Sequence, residues 1–120
     1  MAKKSFFYLF ILIFLTIFSS FRVTKAESEE FRIDEKDKNV LHFHGSITSA
    51  TPEAMERYLD AGVDTVVITS GGGDGEAGLR IGKAFRQHQI TVIVEEYCFS
   101  SCANYLFIGA TKKYWLLTRC

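Results

Sequence analysis

Two short stretches of this chain hold residue types suited to acyl-transfer chemistry: Ser70-Gly71-Gly72-Gly73-Asp74-Gly75 and Cys98-Phe99-Ser100-Ser101-Cys102-Ala103. Glycines at 71, 72, 73 and 75 allow a sharp turn whose backbone N–H groups can face a developing oxyanion. The serines stand where an apolar strand-like run gives way to a helix-like one, which would present a hydroxyl at the end of a strand. A serine attacks only when a neighbouring base takes its proton, and the three histidines, His42, His44 and His88, lie in neither stretch. Each half also has a plainer reading: the glycines as a strand-to-helix turn needing positive φ, and one serine as a helix cap.

The elements that must position these residues follow from hydrophobic periodicity. Val40-Leu41-His42-Phe43-His44 alternates and closes on Gly45, which predicts a strand with Leu41 and Phe43 on one face. Thr51-Pro52-Glu53 predicts a helix start with Thr51 as the N-cap, an apolar stripe of Met55, Tyr58 and Leu59, and a stop at Gly62. Thr65-Val66-Val67-Ile68-Thr69 and Ile90-Thr91-Val92-Ile93-Val94 are continuous β-branched runs of the kind buried on both faces. Between them Ala77, Ile81, Ala84 and Phe85 recur at helical spacing, and from Ser100 a third helix carries Cys102, Tyr105, Leu106 and Gly109 on one face. Strands alternating with helices call for an α/β fold, a parallel sheet with right-handed βαβ crossovers. Ligands bind such sheets at the carboxyl edge, where both stretches fall.

Other constellations compete for the same residues. Gly73-Asp74-Gly75-Glu76-Ala77-Gly78 fits G-x-G-x-x-G, with Glu95 near the end of the next strand, as a dinucleotide-binding turn would have it. Three intervening residues separate the fingerprint from the strand, and the serine stretch would stay unexplained. His42 and His44 share one strand face and could act as a base, or bind metal with Cys98 and Cys102; a polar strand face is the simpler account. His88 ends the second helix, at the edge opposite the serines. Lys112 and Lys113 suggest a Ser–Lys pair, but the length of the third helix carries them away from Ser101. We therefore expect neither a cofactor nor a metal.

Lys3 and Lys4, the apolar run Phe6–Phe18 and small residues ending at Ala26 have the layout of a secretory signal peptide cleaved before Glu27, the rival being an uncleaved N-terminal anchor. Removing residues 1–26 takes four of the fourteen basic groups and no acid, which leaves a formal charge near −4. Such a surface repels phosphate backbones, so nucleic acid is not an expected partner, and contact with a membrane is expected only through the leader. Export places Cys98 and Cys102 in an oxidising compartment, where a local disulfide could brace the serine turn; Cys120 is then odd.

Read together, Gly45-Ser46-Ile47, Ile68-Thr69-Ser70-Gly71-Gly72-Gly73 and Ser101-Cys102-Ala103 resemble the Clp-type serine protease and crotonase superfamily, most of all the exported Clp-like proteins of bacteria. The resemblance covers about residues 40–112. It implies a Clp/crotonase-like fold and a serine hydrolase acting on peptide or ester bonds. Gly72 and Gly73 match the paired glycines of the oxyanion turn, Ser101 matches the nucleophile, and Cys102 supplies the second N–H donor. Gly71 replaces the family's proline and Ser100 its alanine, so Ser100 also stays a candidate nucleophile. The family's catalytic histidine and aspartate lie further beyond the serine than Cys120, which makes an inactive, truncated hydrolase the expectation. The alternative is a non-catalytic exported binding or structural module of the same fold. The implied organisation is a signal peptide over 1–26, a charged linker or weak edge strand over 27–39, a partial Clp/crotonase-like domain over 40–113 and an atypical tail over 114–120. The implied location is the bacterial periplasm. An uncovered apolar sheet edge would favour aggregation, a partner or self-association into a homo-oligomer.

Overall fold

The computed structural model describes residues 2–19 and 28–116, with side chains for 7–15 and 28–116. The cleavage site expected after Thr24–Ala26 and the terminal Cys120 lie outside the described residues. Ala2–Ser19 forms a helix, α1, whose apolar side chains Phe7 to Leu15 are all largely exposed. Among the described residues no helix is long and apolar enough to cross a membrane.

The remaining elements build an α/β fold on a five-stranded, mostly parallel sheet. Its strands are β1 (Glu30–Ile33), β2 (Val40–His44), β3 (Thr65–Ser70), β4 (Thr91–Cys98) and β5 (Lys112–Trp115), and they lie side by side in chain order. Only β1 is antiparallel to its neighbour, with Phe31 opposite Phe43 and Ile33 opposite Leu41. Parallel registers then pair Phe43 with Ile68, Ile68 with Val94, and Val94 with Trp115.

Three helices connect the parallel strands: α2 (Thr51–Asp60), α3 (Gly75–Gln87) and α4 (Cys102–Phe107), the last wound with π geometry. Because the strands never reverse their order and α3 packs against both α2 and α4, the helices share one face of the sheet. Strand alternation then divides the side chains. Leu41, Phe43, Val66, Ile68, Val92 and Val94 point under Met55, Leu59, Ile81, Phe85 and Leu106 and make one core. Burying a side chain of this size contributes about 2 kcal/mol over leaving it exposed. His42, His44, Val67 and Ile93 alternate onto the other face. A Cβ on Gly82 would lie 2.5 Å from the Tyr105 carbonyl, so α3 and α4 touch backbone to backbone.

Several details depart from the sequence reading. Ala50, not Thr51, is the N-cap of α2; Thr51 is buried within the first turn and its hydroxyl accepts the Thr48 N–H at 2.8 Å. Within the charged stretch 27–39 the edge-strand alternative holds, as β1, and its Phe31, read as outside the core, stacks on Tyr58 at 5.6 Å and packs against the core. The strand Lys112–Trp115 crosses the boundary drawn at residue 113. Its side chains are exposed, and backbone bonds such as Leu116 N–H to the Val94 carbonyl at 2.8 Å hold it to β4.

Candidate active site

The two stretches singled out by residue type meet at the carboxyl edge of β3 and β4. Ser70, the last residue of β3, is fully buried and closes the strand in two ways. Its hydroxyl accepts the Gly72 N–H at 3.1 Å, and its carbonyl accepts the Phe99 N–H at 2.9 Å. The glycine turn and the serine turn are thereby tied together before any reactive group is placed.

Gly72 has φ +92° and passes so close to the serine turn that a Cβ there would sit 2.7 Å from the Phe99 carbonyl oxygen and 2.8 Å from the Ser100 Cβ. Gly73 has φ +147° and forms a parallel bridge with Ile47, whose N–H donates to the Gly72 carbonyl at 2.9 Å and whose carbonyl accepts the Asp74 N–H at 2.8 Å. When the neighbours of a residue bond to the bridge partner, its own N–H and C=O point to the opposite side. For Gly73 that side holds Ser101, whose hydroxyl donates to the Gly73 carbonyl at 3.2 Å. Among the described residues the Gly73 N–H has no hydrogen-bond partner.

Ser101 itself is 4% exposed. Its Cβ packs against Gly78 of α3, where an added Cβ would stand 3.1 Å away. Ser100 is exposed and holds a left-handed φ of +53°, a conformation that costs a non-glycine residue about 1 kcal/mol. A disulfide joins Cys98 to Cys102, with Cα atoms 5.3 Å apart, and closes a loop around Phe99, Ser100 and Ser101. The Cys102 N–H, the second oxyanion donor implied by the resemblance, donates to the Phe99 carbonyl at 3.0 Å. Of the backbone donors named from sequence at Gly72, Gly73 and Cys102, Gly73 alone has its N–H unengaged among the described residues.

The other candidates lie apart. His42 Nε2 meets Asp34 Oδ2 at 2.9 Å on the sheet face away from the helices, and His44 alternates onto that same face. His42 and the backbone N–H groups of Lys36 and Asp37 hold the Asp34 carboxyl down at about 2. His88 caps the end of α3, 3.5 Å from Asp60. Lys112 and Lys113 pair with Thr91 and Val92 at the amino end of β4, the opposite end of that strand from the serines. Among the described residues no three of His, Cys, Asp and Glu gather as metal ligands.

Sequence reasoning missed Asp74. Its carboxylate accepts the Ala77 N–H at 2.8 Å and caps α3. An aspartate before Gly75-Glu76 is a helix-start signal that could have found it. That carboxylate occupies the helix N-terminus where a pyrophosphate would bind, and Gly78 is spent on contact with Ser101. Both facts weigh against the dinucleotide reading. Comparison of the chain with protein-family models, with curated proteins and with solved structures finds no match.

Proposed function

We propose that the Ser101–Gly73 contact is the nucleophile and oxyanion half of an exported, Clp/crotonase-like serine hydrolase acting on peptide or ester bonds. One observation carries this reading: the Ser101 hydroxyl rests on the carbonyl of the same residue, Gly73, whose unengaged N–H turns toward it. In the reaction the Ser101 hydroxyl leaves that carbonyl, gives its proton to a solvent water and attacks a substrate carbonyl carbon; the C=O π pair moves onto oxygen, where the Gly73 N–H donates to it, and collapse breaks the bond to the leaving amine or alcohol, which takes a proton from water and departs. The left-handed turn at Ser100 aims the nucleophile and does not itself attack.

Among the described residues no side-chain base stands beside Ser101, so water, a poor base, takes its proton and this chain acylates slowly. Loss of a triad member leaves only the part of the rate that oxyanion binding and positioning supply. A fluorophosphonate probe tests the proposal on the full chain, read by intact mass and peptide mapping. The expected result is a single adduct on Ser101, lost in Ser101→Ala, kept in Ser100→Ala and accelerated by added imidazole as a substitute base. No adduct after prolonged exposure, or an adduct that survives Ser101→Ala, overturns it.

The near-complete burial of Ser101 favours a second reading, a binding module that uses the same turn without catalysis. Absence of any adduct is the outcome that selects it.

A further inference from the structure

β5 ends the sheet: β4 pairs with one side of it, and among the described residues no strand pairs with the other. Its backbone is set for a second neighbour. The Leu116 N–H donates to the Val94 carbonyl at 2.8 Å, so Lys112, Tyr114 and Leu116 bond toward β4, while Lys113 and Trp115 turn their N–H and C=O groups outward. The side chains divide with the register, which is unbroken along these four residues. Lys113 and Trp115 pair with Val92 and Val94, whose side chains lie in the core, and so take the helix side. Phe107 of α4 marks the same side, its ring centre 5.4 Å from that of Trp115 and 6.0 Å from the Lys113 Nζ. Lys112 and Tyr114 take the other face. Tyr114 and Trp115 are each 55% exposed.

We infer that β5 is a dimer interface, on which a second copy of this chain lays its own β5 antiparallel about a two-fold axis at Tyr114, joining the two sheets into one. A self-complementary contact brings a strand against its own copy in the opposite direction. A continuous sheet keeps the helices of both copies on one side, so opposed residues must share a face. Charge then selects the register. Centred on Lys113, the contact would set two like charges opposite each other, which is destabilising. Centred on Tyr114, it sets Lys113 opposite Trp115 of the second copy, twice by symmetry, with the two Tyr114 rings meeting on the other face. The outward N–H and C=O groups of Lys113 and Trp115 bond one another across the axis, and each ammonium lies against an indole. Lysines ordinarily blunt a sheet edge; here they are tolerated in one register and reject the neighbouring one. Two strands of four residues make a small contact, so the dimer is reversible and depends on concentration. This inference does not rest on the hydrolase reading.

The test is sedimentation velocity of the full chain in mild detergent over a range of concentrations, with tryptophan emission followed in parallel. Trp115 is the one tryptophan of the chain, so burial of its ring reports this contact alone. A monomer–dimer equilibrium is expected, with the emission moving to the blue along the same isotherm. Lys113→Gln removes two symmetric cation–π pairs and should weaken dimerisation about fivefold to thirtyfold. Disulfide trapping reads the register: with Cys120→Ser in both, Tyr114→Cys should give a covalent dimer on oxidation and Lys112→Cys should not. All of these positions in β5 are exposed, and far-UV circular dichroism checks that each variant keeps the fold. A monomer at every concentration, a dimer unaffected by Lys113→Gln, or trapping through Lys112→Cys in place of Tyr114→Cys overturns the inference. So do species larger than a dimer, which pairing of β5 with the β1 edge of another copy would produce.

Discussion

Breaking the Cys98–Cys102 disulfide should cost stability by an amount that follows from its short loop. The half-cystines are four residues apart, and the chain-entropy relation for a loop of about five residues gives about 2 kcal/mol at 25 °C. The loop contains the left-handed Ser100, so the cross-link also holds a conformation that an open chain would leave readily. Alanine is the right replacement: Cys98 is 4% exposed and Cys102 fully buried, and a serine at either position would add an unpaired buried hydroxyl. With a urea dependence of about 1 kcal/mol/M for a domain of this size, Cys98→Ala/Cys102→Ala should lower the urea midpoint by about 2 M without reductant. Dithiothreitol should move the parent chain to nearly the same midpoint and leave the double variant where it was. Alkylation before and after reduction, followed by peptide mapping, confirms which thiols were paired. A parent midpoint that does not respond to reductant refutes the reasoning, because it means that the cross-link does not restrict the unfolded chain as argued.

Two further outcomes are expected. Gly72→Ala must place a Cβ 2.7 Å from the Phe99 carbonyl at a φ of +92°; with both sides of the contact made of backbone it should cost about 3 kcal/mol in urea denaturation, and a loss within experimental error would refute the interlocking of the two turns. Asp34 titrates near 2 in the fold, held down first by His42 and then by the Lys36 and Asp37 N–H groups, below its value of 3.8 in an open chain. A carboxylate with a lowered folded pKa adds stability above the unfolded value and loses it as the pH falls through the folded one. Asp34→Asn should therefore flatten the acid limb of stability between about pH 4 and pH 2 and change little in how stability varies at higher pH; an unchanged acid limb refutes the assignment.

The parts of the fold that burial dictates were readable from residue types. The β-branched runs of β3 and β4 occupy the middle of the sheet, where even the outward-facing Val67 and Thr69 are 9% and 1% exposed. The apolar spacing of Ala77, Ile81, Ala84 and Phe85 gave α3 its buried face. The edges were less readable, because an edge strand can be held by backbone bonds with little side-chain pattern. β5 is exposed at every position, and β1 contributes only Phe31 and Ile33 from among a run of charges. The cap of α2 was misplaced for a related reason: the Thr51 hydroxyl does bond a backbone N–H, but that of Thr48, three residues upstream, and not one in its own helix. The π winding of α4 has no counterpart in apolar spacing, which counts faces and not hydrogen-bond partners.

At the candidate site, sequence identified the residues but not their bonds. Paired glycines and a serine at two strand ends were enough to bring Gly73 and Ser101 to one edge, since parallel strands deliver their carboxyl ends together. Which N–H groups stay unengaged is decided by contacts far apart in sequence: Ile47 fixes the direction of Gly73, Ser70 takes the Gly72 N–H, and the Phe99 carbonyl takes that of Cys102. Gly72 and Gly78 both lack a Cβ where the serine turn passes, so two glycines of the stretch answer to the position of one serine turn. Asp74 closes the remaining anion-attracting end, that of α3, with its own carboxylate. Of the three backbone donors named from sequence, the Gly73 N–H is thus the one left unengaged among the described residues, and it belongs to the residue whose carbonyl the Ser101 hydroxyl touches.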